Sequence, residues 1–267
     1  MGAYLGQHFL RDARVLDAVL AAAQLSPGQR ILEVGPGPGN LTERLSLSAG
    51  PAGKVVAIEA DTGLADLLFG RWPNVEVVKG DAVQVDLAKH GKFDRIVANL
   101  PYLISGPITA AFLDLLARPE TAWSRAVLMY QREFAERLLA NPGTSDYGRL
   151  TVHAARRVRV TKVRDVPAAA FDPPPKVESM VLLFEPHARP PFAVHDEKVW
   201  RAIVDGTFQR RRKQLRNGLP AAVGTIGLPR QRALDALESR GWSERRPENL
   251  SPAEFAQLAN ELAEVRA

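Results

Sequence analysis

Asn99-Leu100-Pro101-Tyr102 sets a carboxamide, a backbone carbonyl, a fixed bend and an aromatic face within four residues. That set suits one difficult reaction. An amino group conjugated to a ring, such as N6 of adenine, is a poor nucleophile because its lone pair is delocalised. Two acceptors for its protons, the Asn99 side-chain oxygen and the Leu100 carbonyl, favour a pyramidal nitrogen with its lone pair aimed at an electrophile. Pro101 fixes the backbone direction, and Tyr102 offers a face for base stacking. Catalysis would then be positioning plus hydrogen bonding to the transition state. The bland alternative is an Asn-x-Pro turn after a strand.

A second group of residues points to a nucleoside. Glu33-Val34-Gly35-Pro36-Gly37-Pro38-Gly39 is acidic-x-Gly-x-Gly-x-Gly, and its glycines let the backbone approach a ligand closely. A dinucleotide fingerprint needs glycine at position 40, which is Asn40, and no Lys-Ser/Thr pair makes a Walker loop. Pro36 and Pro38 also remove two N–H donors from any phosphate cradle. Glu59 is placed to accept ribose hydroxyls, and Asp81, in Gly80-Asp81-Ala82, to accept from an adenine amino group. Alternatively, both acids merely cap the helices that follow. Taken with the loop, they describe an adenosine site for a ligand without a pyrophosphate.

The elements that carry these residues alternate. Strands are predicted at Arg30–Val34, Lys54–Glu59, Val75–Lys79, Phe93–Ala98 and Arg125–Tyr130. Helices fall between them, with Asn40 a candidate N-cap. This rhythm predicts a parallel sheet covered on both faces, with the site at its carboxyl edge. Val158–Val166 and Ser179–Glu185 read as strands able to pair as a hairpin at one edge. Ala168–Lys176, with Pro173, Pro174 and Pro175, reads as a loop. After a linker near Pro186–Pro191, helical patterns dominate. The division expected is residues 1–187 and 188–267.

The loop and its acids resemble those of class I methyltransferases that use S-adenosyl-L-methionine, a cofactor with adenosine and a sulfonium but no phosphate. The whole chain more closely resembles the small-subunit ribosomal RNA adenine-N6,N6-dimethyltransferase family, the KsgA/RsmA type. The matching segments are Gly6–Leu10, EVGPGPGNLT from Glu33, Gly80–Ala82, Asn99–Tyr102, YGRLT from Tyr147, FDPPPKVES from Phe171, FQRRRKQLRN from Phe208, and NLSP from Asn249. The resemblance implies a Rossmann-like catalytic domain, mostly parallel with an antiparallel edge hairpin, and a small all-α domain that docks on RNA. It implies cofactor contacts at His8, Leu10, Gly35, Gly37, Glu59, Asp81, Ala82 and Asn99. His8 stands where many bacterial members carry Asn. Catalysis falls on Asn99, Leu100, Pro101 and Tyr102. Tyr102 and Phe171 would hold a flipped adenine, although Phe171 also suits an anchor packing its loop on the core. The implied substrate is two adjacent adenines near the 3′ end of 16S-type RNA in an immature small subunit, each dimethylated.

Composition agrees with a polyanionic partner. Of 267 residues, 35 are basic and 30 acidic, a net charge of +5. Residues 1–186 carry 21 basic and 20 acidic side chains; residues 187–267 carry 14 and 10, so the excess lies toward the C-terminus. Arg210, Arg211, Arg212, Lys213 and Arg216 are the candidate RNA contacts. Arg156, Arg157, Arg159, Lys162 and Arg164 form a second basic run that reads equally as a solvated face. Cysteine is absent, which excludes disulfides and thiolate chemistry. No metal site, signal peptide or membrane span is expected, so the reading is a cytoplasmic monomer. The rivals are a large-subunit adenine methyltransferase of the macrolide-resistance type, against which FQRRRKQLRN and NLSP weigh, and a mainly non-catalytic ribosome-assembly factor. Leu100 argues against a DNA enzyme, where proline is commoner.

Overall fold

Short aliphatic runs pair in parallel and bury both faces, as a covered sheet requires. The computed structural model describes residues 7–264, so Gly6 of the N-terminal signature lies outside the described residues. The chain runs β1 (Phe9–Leu10), α1 (Ala13–Ala23), β2 (Arg30–Val34), α2 (Asn40–Ala49), β3 (Lys54–Glu59), α3 (Thr62–Leu68) and β4 (Val75–Lys79). It continues through β5 (Arg95–Asn99), α4 (Ser105–Leu115), β6 (Arg125–Gln131), α5 (Arg132–Leu139), α6 (Arg149–Arg157), β7 (Val158–Val166), β8 (Phe171–Asp172) and β9 (Ser179–Pro186). The last helices are α7 (Glu197–Phe208), α8 (Leu215–Gly224), α9 (Arg230–Glu238) and α10 (Pro252–Ala263). Among the described residues no helix is long and apolar enough to cross a membrane.

Two compact units result. The first is the chain through Ala135 with Val158–Pro186. Its seven-stranded sheet has the order β4-β3-β2-β5-β6-β9-β7. The first five strands are parallel, and β9 and β7 are antiparallel additions at the β6 edge. The edge hairpin is therefore as expected. Val55, Val56, Ala57 and Ile58 of β3 are all buried, consistent with a strand covered on both faces.

Two local details differ from the sequence reading. Asn40 is not the cap of α2: Gly39 holds that position in the left-handed region, and the Asn40 side chain instead donates to the Leu10 carbonyl at 2.8 Å. Phe9 and Leu10, which carry no strand periodicity, pair antiparallel with Phe171 and Asp172 as β1 and β8. Phe171 is only 4% exposed and sits in a core cluster with Leu10, Val15, Leu16 and Val181. This packing is the anchoring placement that the sequence reading set beside a base-stacking role.

The second unit is Glu136–Arg157 with the chain from His187 onward. It takes in a segment that the contiguous division at 187/188 left with the first. Tyr147 and Val152 are buried in a cluster with Trp200, Ile203, Leu219 and Phe255. Arg156 and Arg157 both pair with Glu197 at the start of α7. The apolar stripe of α6 is buried by helices that arrive some 50 residues later, and strand–helix rhythm does not reveal that partner.

Candidate active site

The carboxyl ends of β2, β3, β4 and β5 converge on a cavity of about 390 Å³ in the first unit. That is within the range of small-molecule sites. His8, Leu10, Gly35, Gly37, Glu59, Asp81, Ala82, Asn99, Leu100, Pro101 and Tyr102 all line it. Phe171 does not, and the basic residues 210–213 lie in the second unit.

The glycine loop is tight for a stated reason. Gly37 has φ +56°, and a Cβ there would stand 2.8 Å from the Phe9 ring. Its N–H donates to Glu59 Oε2 at 3.0 Å, while Asp61 N–H donates to Glu59 Oε1 at 3.0 Å. Glu59 is 6% exposed. It therefore orders the loop and the entrance to α3, and each oxygen retains a lone pair for ribose hydroxyls. Gly37→Ala is expected to weaken S-adenosylhomocysteine binding by about tenfold or more and to lower the melting temperature, because it adds a clash to a left-handed backbone. Titration calorimetry and a thermal melt check this.

On the opposite side, Asn99 Nδ2 donates weakly to the His8 carbonyl at 3.4 Å, and its Oδ1 accepts from none of the described residues. The Tyr102 hydroxyl shares a 2.9 Å hydrogen bond with Ser179 Oγ, which pins the ring. Burial pushes the Tyr102 phenol up from its ordinary value, with the Ser179 bond opposing. His8 Nδ1 meets the Pro173 carbonyl at 2.7 Å and so carries the proton, and its ring stands 6.0 Å from that of Tyr102. Asp81 Oδ1 accepts from Val83 N–H at 2.9 Å, which leaves its second oxygen for a ligand amino group.

Sequence reasoning gave no site role to several lining residues, among them Gln7, Glu33, Asn40, Asp61 and Gln131. Glu33 had a signal, since it is an acid inside the otherwise aliphatic run Ile31–Val34. It is 1% exposed, and its Oε2 has no hydrogen-bond partner. Burial pushes its carboxyl up to about 8; the nearby Thr42 hydroxyl opposes this and the Glu59 charge adds to it.

Among the described residues the lining carries four carboxyl groups, Glu33, Glu59, Asp61 and Asp81, and neither Lys nor Arg. Such a wall rejects phosphate and favours a cationic ligand. A nucleoside bearing a sulfonium and an ammonium fits this donor and acceptor set. Fold and site together define a class I S-adenosyl-L-methionine-dependent methyltransferase.

Comparison with known proteins narrows the class. The pattern of the family described as ribosomal RNA adenine dimethylase matches residues 3–264. A probable ribosomal RNA small subunit methyltransferase A of Methanosarcina mazei is 39% identical, over 99% of this chain and 94% of its own. The ribosomal RNA small subunit methyltransferase A of Geobacter metallireducens is 42% identical, over 97% and 94%. A dimethyladenosine transferase from Plasmodium falciparum superposes with a TM-score of 0.79 at 32% identity, covering 96% of this chain and 98% of that one. The 23S rRNA methyltransferase ErmE gives 0.65 at 27%, covering 96% and 99%. The chain belongs to the ribosomal RNA adenine dimethylase family. It is a ribosomal RNA methyltransferase whose cofactor is S-adenosyl-L-methionine.

The second unit holds the basic candidates. Arg210, Arg211, Arg212 and Lys213 line an open bowl with Phe208, Gln209 and Asn217. Arg211 pairs with Glu248 at 2.8 Å and donates to the Thr144 carbonyl, so it braces the unit. Arg216 stands 3.8 Å from Glu244. Arg212 and Lys213 are exposed and pair with no acid among the described residues. In the other basic run, Arg156 and Arg157 pair with Glu197, Arg159 with Glu185, and Lys162 with Asp165.

Proposed function

We propose that this enzyme methylates N6 of two adjacent adenines near the 3′ end of small-subunit ribosomal RNA, dimethylating each, and that it acts as a cytoplasmic monomer on an immature small subunit. The observation that carries the adenine reading is Asn99-Leu100-Pro101-Tyr102 on the wall of an acidic cavity free of Lys and Arg. The small-subunit choice is supported by the relatives at 39% and 42% identity, against 27% for the large-subunit enzyme.

The bound cofactor supplies an electrophilic methyl group. Asn99 Oδ1 and the Leu100 carbonyl accept the amine's hydrogens and aim its lone pair at that methyl. Tyr102, braced by Ser179, holds one face of the base. In the second round the mono-methylated amine keeps one N–H, so one acceptor suffices while the other side admits the methyl. Arg212 and Lys213, lacking acidic partners, are the residues we assign to phosphate contact; such contacts set affinity rather than sequence.

The test is incubation with methyl-labelled cofactor and unmethylated small subunits, followed by mass-spectrometric mapping of the RNA. Label on two neighbouring adenines as N6,N6-dimethyladenosine is expected. Label confined to large-subunit RNA, or to monomethylated sites after exhaustive reaction, overturns the reading.

A further inference from the structure

Gln131 lines the cavity, yet neither the fold nor the proposed chemistry uses its side chain. It is half-buried, and its carboxamide bonds to none of the described residues. The sheet register places it. In the order β5-β6-β9, Gln131 ends the middle strand. Asn99 pairs with Met129, and Ser179 pairs with Gln131. Paired residues share a face of a sheet, as do residues two apart along a strand. Asn99, Gln131 and Ser179 therefore project from one face, the face whose Val97, Val127, Met129 and Val181 enter a single apolar cluster. Gln131 stands two residues beyond the level of Asn99, roughly 7 Å farther toward the carboxyl edge. On its β5 side is the proposed acceptor for the amine. On its β9 side is the hydroxyl that braces Tyr102. The backbone that carries Gln131 is fixed: Arg132 N–H donates to the Glu178 carbonyl at 2.9 Å, and the Arg132 side chain pairs with Glu178 and Asp165. A firmly mounted amide between those two groups is placed to meet the edge of a base held by both.

We infer that Gln131 is a specificity-determining residue: its Nε2 donates to N1 of the target adenine and keeps the ring in register for the second methyl transfer. The inference rests on the adenine reading above and stands whichever ribosomal RNA is the acceptor. A flipped base is read on its Watson–Crick edge, which in adenine is N6 and N1. Asn99 Oδ1 and the Leu100 carbonyl take the two N6 hydrogens, so N1, an acceptor, needs a donor. Among the described residues the lining has no Lys or Arg to provide one, and the amides of Asn99 and Asn40 are turned to the His8 and Leu10 carbonyls. Guanine carries a hydrogen on N1 and a carbonyl at position six, so it would meet the wrong partner at both Gln131 and Asn99. Each transfer forms an N6–methyl bond, breaks the sulfonium–methyl bond and releases one N6 proton. The amine's hydrogens are thus consumed while N1 is untouched. After the first transfer one of the two N6 contacts is gone, and the N1 bond is what still prevents the ring from turning in its plane on Tyr102.

Single-turnover methylation of unmethylated small subunits, with mono- and dimethyladenosine counted by mass spectrometry, reads both rounds. Gln131→Met, similar in size but without a donor, should slow the first round by about tenfold or less and the second by at least about a further tenfold, so monomethyl product accumulates. Its S-adenosylhomocysteine affinity should stay within about twofold of the parent's. Gln131→Glu keeps the shape but sets an acceptor against N1, and should do no better. Gln7→Ala, which removes the other lining carboxamide, should dimethylate as the parent does. Deleting the acceptor atom instead gives the decisive comparison. Subunits reconstituted with 1-deazaadenosine at the target positions should slow the parent's second round to the level of Gln131→Met, and should slow Gln131→Met no further. 7-Deazaadenosine should behave as adenosine. The inference is overturned if Gln131→Met dimethylates at the parental rate, if Gln7→Ala reproduces its effect, or if the losses from 1-deazaadenosine and Gln131→Met add. A parent that methylates no adenine overturns the functional reading and this inference together; a parent that dimethylates adenine while its Gln131 variants match it overturns this inference alone. The comparison of 1-deaza with 7-deaza substrates on the unmodified protein does not depend on any variant folding.

Discussion

Asn99→Ala is expected to lower kcat by about 10²–10³-fold, with S-adenosylhomocysteine affinity reduced by far less. The magnitude is that of removing one preorganised hydrogen-bonding group from a transition state. The asymmetry follows from what Asn99 touches. Its Nδ2 makes a single long bond, 3.4 Å, to the His8 carbonyl, so its loss barely loosens the cavity. Its Oδ1 accepts from none of the described residues and is the acceptor proposed for the amine. Asn99→Asp restores an acceptor oxygen in the same place and should recover much of the rate. Single-turnover methylation of small subunits with excess enzyme separates the chemical step from RNA docking. A rate for Asn99→Ala within about threefold of the parent would remove the side-chain oxygen from the mechanism.

Glu59→Ala is expected to act on the other half of the site and on stability together. Glu59 accepts the Gly37 and Asp61 N–H groups at 3.0 Å each while 6% exposed. Removing it leaves two partly or fully buried donors unsatisfied, each costing about 1–3 kcal/mol. The glycine loop then loses its tie to β3, and the acceptor proposed for the ribose is removed. Cofactor affinity should fall by about 10²-fold or more, with a clear drop in melting temperature. Glu59→Gln retains one carbonyl oxygen but presents an NH₂ where a second acceptor is needed, so it should fall between. An unchanged melting temperature would show that the two backbone bonds are not holding the loop. Unchanged affinity would remove the ribose role.

Much of this site was legible before any tertiary contact was known. The parallel strands are aliphatic runs buried on both faces, and such runs announce themselves in composition. The acids Glu59 and Asp81 stand at or just beyond strand ends, where a doubly wound sheet gathers its ligands. Asn99-Leu100-Pro101-Tyr102 follows a strand and so falls on the same edge. Pro36 and Pro38 argued against a phosphate from chemistry alone, and the cavity lining, free of Lys and Arg, agrees.

Other features depend on partners distant in the chain. Phe171 carries the same side chain whether it stacks on a base or fills a core. Its pairing with Leu10, 161 positions earlier, buries it. Asn40 looks like a helix cap until the Leu10 carbonyl arrives to take its amide. The α6 helix is amphipathic from its own sequence, but α7 and α10 determine which unit buries its stripe. Glu33 is an acid in a strand, and only the enclosing fold buries it, leaves its Oε2 without a partner among the described residues and raises its pKa.

The residue types, their spacing and the strand–helix rhythm by themselves determined the fold class and singled out the strand ends and the tetrapeptide Asn99–Tyr102 that line the cavity, because each is a local pattern. Tertiary structure alone decided where Phe171 packs, which basic side chains lack acidic partners among the described residues, and which carboxyl is buried. Burial, pairing and desolvation depend on the neighbours that folding brings together.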